Sequence, residues 1–168
     1  MADVRVSDGV VTLSPLCLDD LEAHLAGEDE ELVRWLNGGP GTREGTEAYI
    51  RECTRNWAAG GPLLAFGVRL EAEGALAGTI DLRFEVKARG RVSLAYGLYP
   101  AFRGRGIATR SVHLACGYAA ARGAGLAEIK VEPANTASVA VARRSGFTFT
   151  GRTKDEDGTE LDRYARDL

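Results

Sequence analysis

The sequence predicts an α/β (α+β) fold: one domain over residues 1–168, in which four helices flank a mixed central sheet of about seven strands. Three observations lead to this class. The chain has 168 residues, the usual length of one domain. Its apolar residues repeat with a period of two in some segments and 3.6 in others, in the order β-α-α-β-β-β-α-β-α-β-β. No repeat, low-complexity tract or Pro/Ser-rich linker divides the chain.

The first elements are a short strand over residues 10–13 and a short helix. Asp19 lies three residues before Glu22, a variant of the capping-box spacing that predicts the start of this helix. An acidic run then leads to a break at residues 38–41, where glycine and proline interrupt regular structure.

A second, longer helix follows this break. Thr42 predicts its N-cap, and the glycines at residues 60–61 predict its end. Ile50, Cys53 and Trp57 recur at spacings of three and four, so they form the face that we expect to be buried.

The middle of the chain is rich in strands. Apolar residues alternate with others over residues 64–70, 78–86 and 92–98, and turn-like segments separate the three stretches. Alternation of this kind is typical of strands that have one face against a core.

The last part of the chain combines helices and strands. Residues 107–122 predict a helix, and residues 127–132 predict a strand. A further helix over residues 136–145 ends at Gly146. Two closing strands flank Asp157-Gly158, a dipeptide typical of hairpin turns. These strands cover residues 147–154 and 161–166.

The composition argues against several classes of function. Lys and Arg number 21 against 24 Asp and Glu, a net charge of −3, whereas nucleic-acid-binding proteins usually have a basic excess. No apolar run is long enough to span a membrane, and the N-terminus shows no signal-peptide pattern. The three cysteines have no spacing typical of zinc sites or disulfide frameworks. We therefore expect a cytoplasmic protein without a metal, a nucleic-acid partner or a membrane partner.

A glycine-containing turn between a strand and a helix is the first sign of a ligand site. Its residues are Arg103, Gly104, Arg105, Gly106, Ile107 and Ala108. Glycines let the backbone approach a ligand closely, and free N–H groups at the start of a helix attract anions. The turn therefore predicts a pyrophosphate site, and a plain tight turn is the alternative.

Two common nucleotide-binding motifs fit this turn poorly. A P-loop requires Lys and then Ser or Thr after its second glycine, where this chain has Ile107 and Ala108. A dinucleotide-binding motif requires a third Gly or Ala, where this chain has Thr109. It also requires an acidic residue about 20 positions further on, and Glu132 lies too far along the chain.

Two linked motifs make the interpretation more specific. The pattern R/Q-x-x-G-x-G/A is met by Arg103, Gly106 and Ala108. Residues 131–138 read VEPANTAS, and SGF follows at residues 145–147. Together they resemble the acetyl-CoA signature and the V-x-P-x-N-x-x-S…G-F block of the GNAT superfamily of N-acetyltransferases. The stretches LSPL at residues 13–16 and RWL at residues 34–36 resemble the RimJ/RimL branch of that superfamily.

The resemblance implies acetyl-CoA as the co-substrate. The pyrophosphate would lie on backbone N–H groups of the turn, and the pantetheine arm would lie between two diverging strands, one ending at Leu98 and the other at Glu132. A backbone N–H near Gly97 or Leu98 would polarise the thioester carbonyl. The cofactor-binding residues implied in this way are Leu98, Arg103, Gly104, Arg105, Gly106, Ile107, Ala108, Thr109, Asn135 and Ser138.

The acceptor amine must lose a proton before it attacks. An alkyl ammonium of pKa about 10 is roughly one part in a thousand neutral at pH 7, so a base must take its proton. The family often has a glutamate on the strand before the glycine turn, but Ser93 holds that position here. Of the other nearby carboxylates, Glu132, Asp81 and Glu85, we choose Glu132 as the base. A solvated charge on a strand face is the alternative for each.

The leaving thiolate also needs a proton. Many members of the family use a tyrosine on the helix after Asn135, but Ala142 holds that position here. The RimJ/RimL branch has a serine on the same helix, and Ser138 matches it. Ser138 is therefore the second catalytic candidate, with a capping or packing role as the alternative.

The resemblance also suggests where the acceptor binds. The loop between the first two helices walls the acceptor cleft in this family, and here it carries the acidic residues 28–31 beside Trp35. Acidic side chains next to an aromatic ring suit an ammonium group. The predicted substrate-binding residues are Glu28, Asp29, Trp35 and Asp81, and a solvated surface is the alternative for the acidic run. His24 and His113 have no catalytic partner at a suggestive spacing, so we expect both on the surface.

The implied reaction is direct transfer of an acetyl group to a primary amine in a ternary complex. Two acceptor classes remain open: the N-terminal or lysine amine of a protein, and the amine of a small polyamine-like or aminoglycoside-type molecule, which would give antibiotic resistance. A sensor that binds acyl-CoA without turnover is a third hypothesis. Whether the chain forms a homodimer is also left open.

Overall fold

The computed structural model describes residues 3–37 and 39–168, and one eight-stranded sheet forms its centre. The strands are β1 Val6–Ser7, β2 Val11–Pro15, β3 Leu63–Leu70, β4 Leu76–Phe84, β5 Arg91–Leu98, β6 Leu126–Val131, β7 Thr148–Lys154 and β8 Glu160–Asp167. Their order in the sheet is β1-β2-β3-β4-β5-β6-β8-β7. The β5–β6 pair is parallel and the other neighbouring pairs are antiparallel, which confirms the predicted mixed sheet. The strand beyond the predicted seven is β1, which is too short to show a period of two.

Within the described residues, five α-helical segments accompany the sheet, one more than predicted. They are α1 Leu21–Gly27, α2 Glu30–Leu32, α3 Arg43–Ala59, α4 Ile107–Ala121 and α5 Thr136–Arg144. The additional α2 is a single turn that continues into a π-helical turn over Val33–Asn37. Asp29 caps it by accepting the backbone N–H of Leu32 at 3.1 Å. Gly38, part of the predicted break after this segment, lies outside the described residues.

The start of α1 differs from its prediction. A 3-10 turn over Leu18–Asp20 precedes the helix. Asp20 rather than Asp19 takes part in a capping box, at the start of this turn, where its Oδ2 accepts the Cys17 backbone N–H at 2.9 Å. Asp20 is buried and also pairs with Arg69 of β3, with Oδ1 and Nη1 2.7 Å apart. The local spacing could not reveal this ion pair, because Arg69 lies far along the chain.

Two other predicted helix ends are confirmed. The Thr42 hydroxyl caps α3 by accepting the N–H of Gly45 at 3.1 Å. Gly146 has φ of 83° and ends α5 in a Schellman arrangement, in which the N–H of Phe147 bonds to the carbonyl of Ala142 at 3.1 Å.

Helices cover both faces of the sheet and divide the core into two parts. On one face α4 packs against β2, β4 and β5 around fully buried side chains such as Phe66, Ile80 and Val112. On the other face α1 and α3 cover a smaller cluster. Its members are Leu16, Leu21, Ile50, Cys53 and Ala65.

β5 and β6 diverge at one end of the sheet, and this divergence positions the site. Their pairing runs from Arg91 opposite Leu126 to Leu94 opposite Ile129. β5 continues to Leu98, so residues 95–98 extend beyond the paired part of the two strands. The cleft expected between these strands opens here.

Candidate active site

A cleft of about 670 Å³ lies where β5 and β6 diverge. The ends of both strands, one face of α5, the glycine turn and the segment around α2 line it. The predicted site residues among the lining are Trp35, Leu98, Arg103, Gly104, Ala108, Glu132, Asn135 and Ser138. The structure thus brings both catalytic candidates and residues of both sequence motifs to one space.

The glycine turn lies at one end of the cleft, directly before α4. Gly104 and Gly106 have φ of 73° and 74°, a conformation that favours glycine. Among the described atoms, none from another part of the chain lies within 4 Å of a Cβ built on either residue, so both face open space. Gly106 is the N-cap of α4, and the first N–H groups of a helix have no acceptor within it. The turn therefore offers accessible donors to an anion.

The side chain of Arg103 is held by the acidic loop. Its Nη1 lies 2.6 Å from Oδ2 of Asp29 and its Nη2 lies 2.8 Å from Oδ1, while Glu31 lies 3.2 Å from Nη1. Its Nε donates to the Leu98 carbonyl at 3.0 Å. The hydrogen bonds from Arg103 lower the pKa of Asp29 to about 2. Arg103 was predicted to add positive charge to the anion site. In the fold its guanidinium is paired with the carboxylates of Asp29 and Glu31.

The hydroxyl of Ser138 meets a phenol in the cleft. Its Oγ donates to Oη of Tyr96 at 3.1 Å, and Tyr96 donates to the backbone carbonyl of Ser138, also at 3.1 Å. The cap of α5 is Asn135, whose Oδ1 accepts the Ser138 backbone N–H at 3.2 Å. Burial raises the pKa of Tyr96, which favours its neutral form.

Comparison with known proteins identifies this arrangement. The family model of the acetyltransferase (GNAT) domain matches residues 11–148, which include the diverging strands, the glycine turn and α5. The chain belongs to the GNAT acetyltransferase family. A search of curated proteins gives no significant match.

Solved structures share the GNAT fold over nearly the whole chain. RimL, a ribosomal L7/L12 α-N-protein acetyltransferase in complex with coenzyme A, is 23% identical with a TM-score of 0.84, covering 97% of this chain and 96% of that chain. A Salmonella typhimurium acetyltransferase that modifies the N-terminal serine of ribosomal protein L7/L12 is 22% identical, with a TM-score of 0.82 and 95% of both chains covered. The microcin C7 self-immunity acetyltransferase MccE, in complex with acetyl-CoA and AMP, is 18% identical with a TM-score of 0.82, covering 96% and 94%. The solved structures that share this fold thus include RimL, a protein after which the RimJ/RimL branch is named.

Both acidic and basic side chains line the cleft. Glu132, just beyond β6, lies half-exposed between the main cleft and an adjoining opening of about 430 Å³ that Arg34, Trp35 and Glu160 also line. The guanidinium carbon of Arg34 lies 4.3 Å from the centroid of the Trp35 ring. Further carboxylates line the main cleft: Glu31, Asp155 and Asp157.

Seven predicted site residues lie outside the lining of the main cleft: Glu28, Asp29, Asp81, Arg105, Gly106, Ile107 and Thr109. The last three belong to the start of α4, where the backbone rather than the side chain would meet a phosphate. Arg105 pairs with Glu73 in the β3–β4 turn at 2.7 Å. Glu28 stabilises its own loop, because it accepts the Gly41 N–H and an Asn37 side-chain N–H, each at 2.8 Å.

Asp81 lies one strand away from the cleft. It is on β4 opposite Ala95 of β5, and Ala95 lines the cleft. The Tyr49 hydroxyl donates to Oδ2 at 3.2 Å, whereas Oδ1 is buried without a hydrogen-bond partner among the described atoms. Burial raises the pKa of Asp81 to about 6.

One of the two histidine predictions is wrong. His113 is exposed, as expected. His24 is half-buried, with Nδ1 2.7 Å from Oη of Tyr99 and its ring edge-on to the Tyr99 ring. Gly27 allows this packing, because a Cβ there would overlap the Tyr99 ring. Burial lowers the pKa of His24.

Sequence reasoning missed the cleft residues Tyr96, Leu32 and Leu36. The period-two pattern assigned Tyr96 to the strand face with Leu94, and its hydroxyl gave no separate signal. The two leucines pack on Gly97: a Cβ there would lie 2.5 Å from Cδ2 of Leu32 and 2.9 Å from Cδ2 of Leu36. A glycine among the alternating residues of a strand, which often marks a close approach, was the available signal.

The described residues form neither a membrane-spanning helix nor a metal-binding cluster. No helix within residues 3–37 and 39–168 combines the length and apolar character needed to cross a membrane. In the same part of the chain, no group of three or more His, Cys, Asp and Glu side chains is arranged to hold a metal ion.

Proposed function

We propose that this chain transfers the acetyl group of acetyl-CoA to a primary amine by direct attack in a ternary complex. The observation that carries the proposal is the continuity of the cleft with the glycine turn. Residues 95–98 border the cleft at one end, and the turn follows them within a few positions. A long ligand with an anionic end and an amide-bearing arm would fit this combination.

The residues present fit such a ligand. The open faces of Gly104 and Gly106 and the first N–H groups of α4 would hold the pyrophosphate. Ile107, Ala108 and Thr109 supply backbone in that first turn. Leu98 and Asn135 would hold the pantetheine arm across the diverging strands, and Arg103 and Arg105 would add charge once released from their acidic partners.

When bound, acetyl-CoA supplies an activated acetyl carbonyl. Backbone N–H groups near Gly97 would polarise that carbonyl, a role that requires no special side chain. Glu132 would take the proton of the acceptor ammonium, and Ser138 would give a proton to the departing sulfur. Both side chains line the cleft.

The carboxylates that line the cleft would attract an acceptor that carries an ammonium group. Glu31, Glu132, Asp155 and Asp157 contribute negative charge there, and Trp35 contributes an aromatic ring. RimL and the Salmonella typhimurium relative act on a ribosomal protein N-terminus, and MccE gives self-immunity to microcin C7. A protein amine and a small antibiotic amine are therefore both proposed as acceptor classes. Asp81, which lies opposite the cleft residue Ala95, is proposed as a further carboxylate near the acceptor.

The decisive measurement is calorimetric titration of the protein with CoA. Gly106→Leu should weaken binding by about 100-fold, or about 2.8 kcal/mol, because its side chain would fill the phosphate cradle. Gly123→Leu is the matched control: Gly123 has φ of 92° just beyond the C-terminal end of α4, so its strain is similar but remote. Equal binding by wild type and Gly106→Leu would refute the proposed phosphate site.

Turnover separates the enzyme from the sensor. Thiol release from acetyl-CoA is measured with a panel of amines that includes N-terminal peptides, polyamines and aminoglycosides. The proposal expects release above background with at least one class. CoA binding without release for every amine would support the acyl-CoA sensor instead.

A further inference from the structure

Tyr96 is the hydrogen-bond partner of the Ser138 hydroxyl. It lies on β5 within residues 95–98, where the strand has left its β6 partner, and its side chain is half-buried. Its Oη lies 3.1 Å from both Oγ and the backbone carbonyl oxygen of Ser138. A phenol proton can rotate between two acceptors, so it can serve either oxygen.

The acidity of the two hydroxyls decides which of them can be the source of a proton. A phenol has a pKa of about 10, close to the value of about 8.5 for a thiol, whereas an aliphatic hydroxyl is a much weaker acid. Proton transfer is most effective when donor and acceptor are closely matched. A serine that gives up its proton without replacement would leave an alkoxide in a partly buried site, which is costly.

We propose that Tyr96 supplies the proton of the leaving thiol through the Ser138 hydroxyl. This inference rests on the proposed function. As the amine nitrogen bonds to the acetyl carbon, the C–S bond breaks and its electron pair goes to sulfur. Ser138 gives its hydroxyl proton to sulfur, and Tyr96 replaces it. The new amide nitrogen releases one proton to solvent and Tyr96 regains one from solvent, so the step is balanced.

The surroundings keep this donor protonated. Burial raises the pKa of Tyr96, whereas its hydrogen bond with Ser138 acts in the opposite direction. Tyr96 therefore enters each cycle as the neutral phenol at neutral pH. Because it acts through Ser138, Tyr96 is a positioning and relay residue rather than one that touches the sulfur.

Single-turnover acetyl transfer tests this role. With the best amine of the panel, Tyr96→Phe should slow the chemical step by about 10- to 100-fold at pH 7.5, the range of general acid catalysis. KM for acetyl-CoA and the Kd of CoA should change less than twofold. Tyr118→Phe is the matched control, because Tyr118 packs with Trp57 and Phe66 away from the cleft. It should retain the wild-type rate.

A double-mutant cycle separates a relay from packing. If the proton passes from Tyr96 through Ser138, the double variant Tyr96→Phe/Ser138→Ala should be no slower than the slower single variant. A double loss equal to the product of the single losses would overturn the relay, as would a Tyr96→Phe rate within twofold of wild type. Absence of wild-type turnover would refute the proposed function and this inference together, whereas an active wild type with unaffected Tyr96→Phe refutes only the inference.

Discussion

Arg103 in the glycine turn and Asp29 at the N-cap of α2 are joined by two hydrogen bonds of 2.6 and 2.8 Å, although 74 positions separate them in the chain. The pair ties the glycine turn to the segment around α2, which lines the same cleft. About 70% of each side chain is buried. The ion pair therefore joins two parts of the cleft lining that are distant in the chain.

Asp29→Asn should destabilise the fold in a pH-dependent way. The pKa of Asp29 is lowered to about 2, so its stabilisation is present above about pH 4 and is lost as the pH falls toward 2. We expect a loss of about 1 kcal/mol at pH 7 in urea unfolding. The difference in unfolding free energy from wild type should narrow below about pH 4 and close only below about pH 2, whereas the exposed Asp19→Asn should show no such difference. A difference in unfolding free energy that does not change with pH would contradict the ion pair between Asp29 and Arg103.

Glu73→Gln should strengthen CoA binding. The Glu73 carboxylate lies 2.7 Å from Nη2 of Arg105, and a bound pyrophosphate would compete with it for the guanidinium. We expect a gain of about two- to fivefold in affinity at low salt, which shrinks at 0.5 M salt because both groups are half-exposed. Glu47→Gln, which frees Arg51 on the outer face of α3, is the control. Equal affinities for Glu73→Gln and wild type would show that Arg105 does not meet the phosphates.

Glu132→Gln should move the acidic limb of the pH–rate profile to higher pH, toward the pKa of the acceptor amine. If Glu132 takes the ammonium proton, its amide replacement leaves only spontaneous deprotonation, and the rate should then rise with pH as the free amine accumulates. The expected loss in kcat at pH 7 is about 100-fold, with an unchanged Kd for CoA. Glu156→Gln, an exposed carboxylate of the β7–β8 turn, is the control. An unaltered acidic limb in Glu132→Gln would remove Glu132 from the mechanism.

Asp81→Asn should stabilise the protein at alkaline pH. The pKa of Asp81 is raised to about 6, so the folded chain holds a proton that the unfolded chain has lost between about pH 4 and 6, and stability falls as the pH rises through that window. We expect Asp81→Asn to be more stable than wild type by about 2 kcal/mol at pH 8 and nearly equal to it at pH 4. Tyr49→Phe should move the wild-type transition to higher pH, since the Tyr49 hydrogen bond lowers this pKa. Equal stabilities of Asp81→Asn and wild type at pH 8 would show that burial does not disfavour the ionised form of Asp81.

Features set by local chemistry were predictable from the sequence. The Thr42 cap, the Gly146 helix end and the glycine turn depend on a few neighbouring residues whose backbone preferences are strong. The alternation of apolar residues located the strands to within one or two positions. Val86 shows the limit: it continues the alternation, but β4 ends at Phe84 and Val86 is exposed in the turn.

Contacts between distant parts of the chain were not predictable. Asp29 was expected to face an acceptor, but Arg103 occupies its carboxylate, and a charge run gives no sign of its partner. Tyr96 was assigned only to one face of a strand, because a period of two records the face of a strand and not the position of a hydroxyl. His24 was placed on the surface because the contact of its ring with Tyr99 depends on how α1 crosses the sheet.

Residues 95–98 of β5, which pair with β4 but have no β6 partner, have a consequence for the stability of the whole protein. Peptide groups that leave a ladder need new hydrogen-bond partners, and a pantetheine arm carries two amides that could act as a missing rung between residues 95–98 and β6. The co-substrate would then be a structural component of the sheet as well as a reagent. At about 100 times its Kd it would add about 2.7 kcal/mol to the free energy of unfolding, so the heat resistance of this protein would follow the supply of its acyl donor.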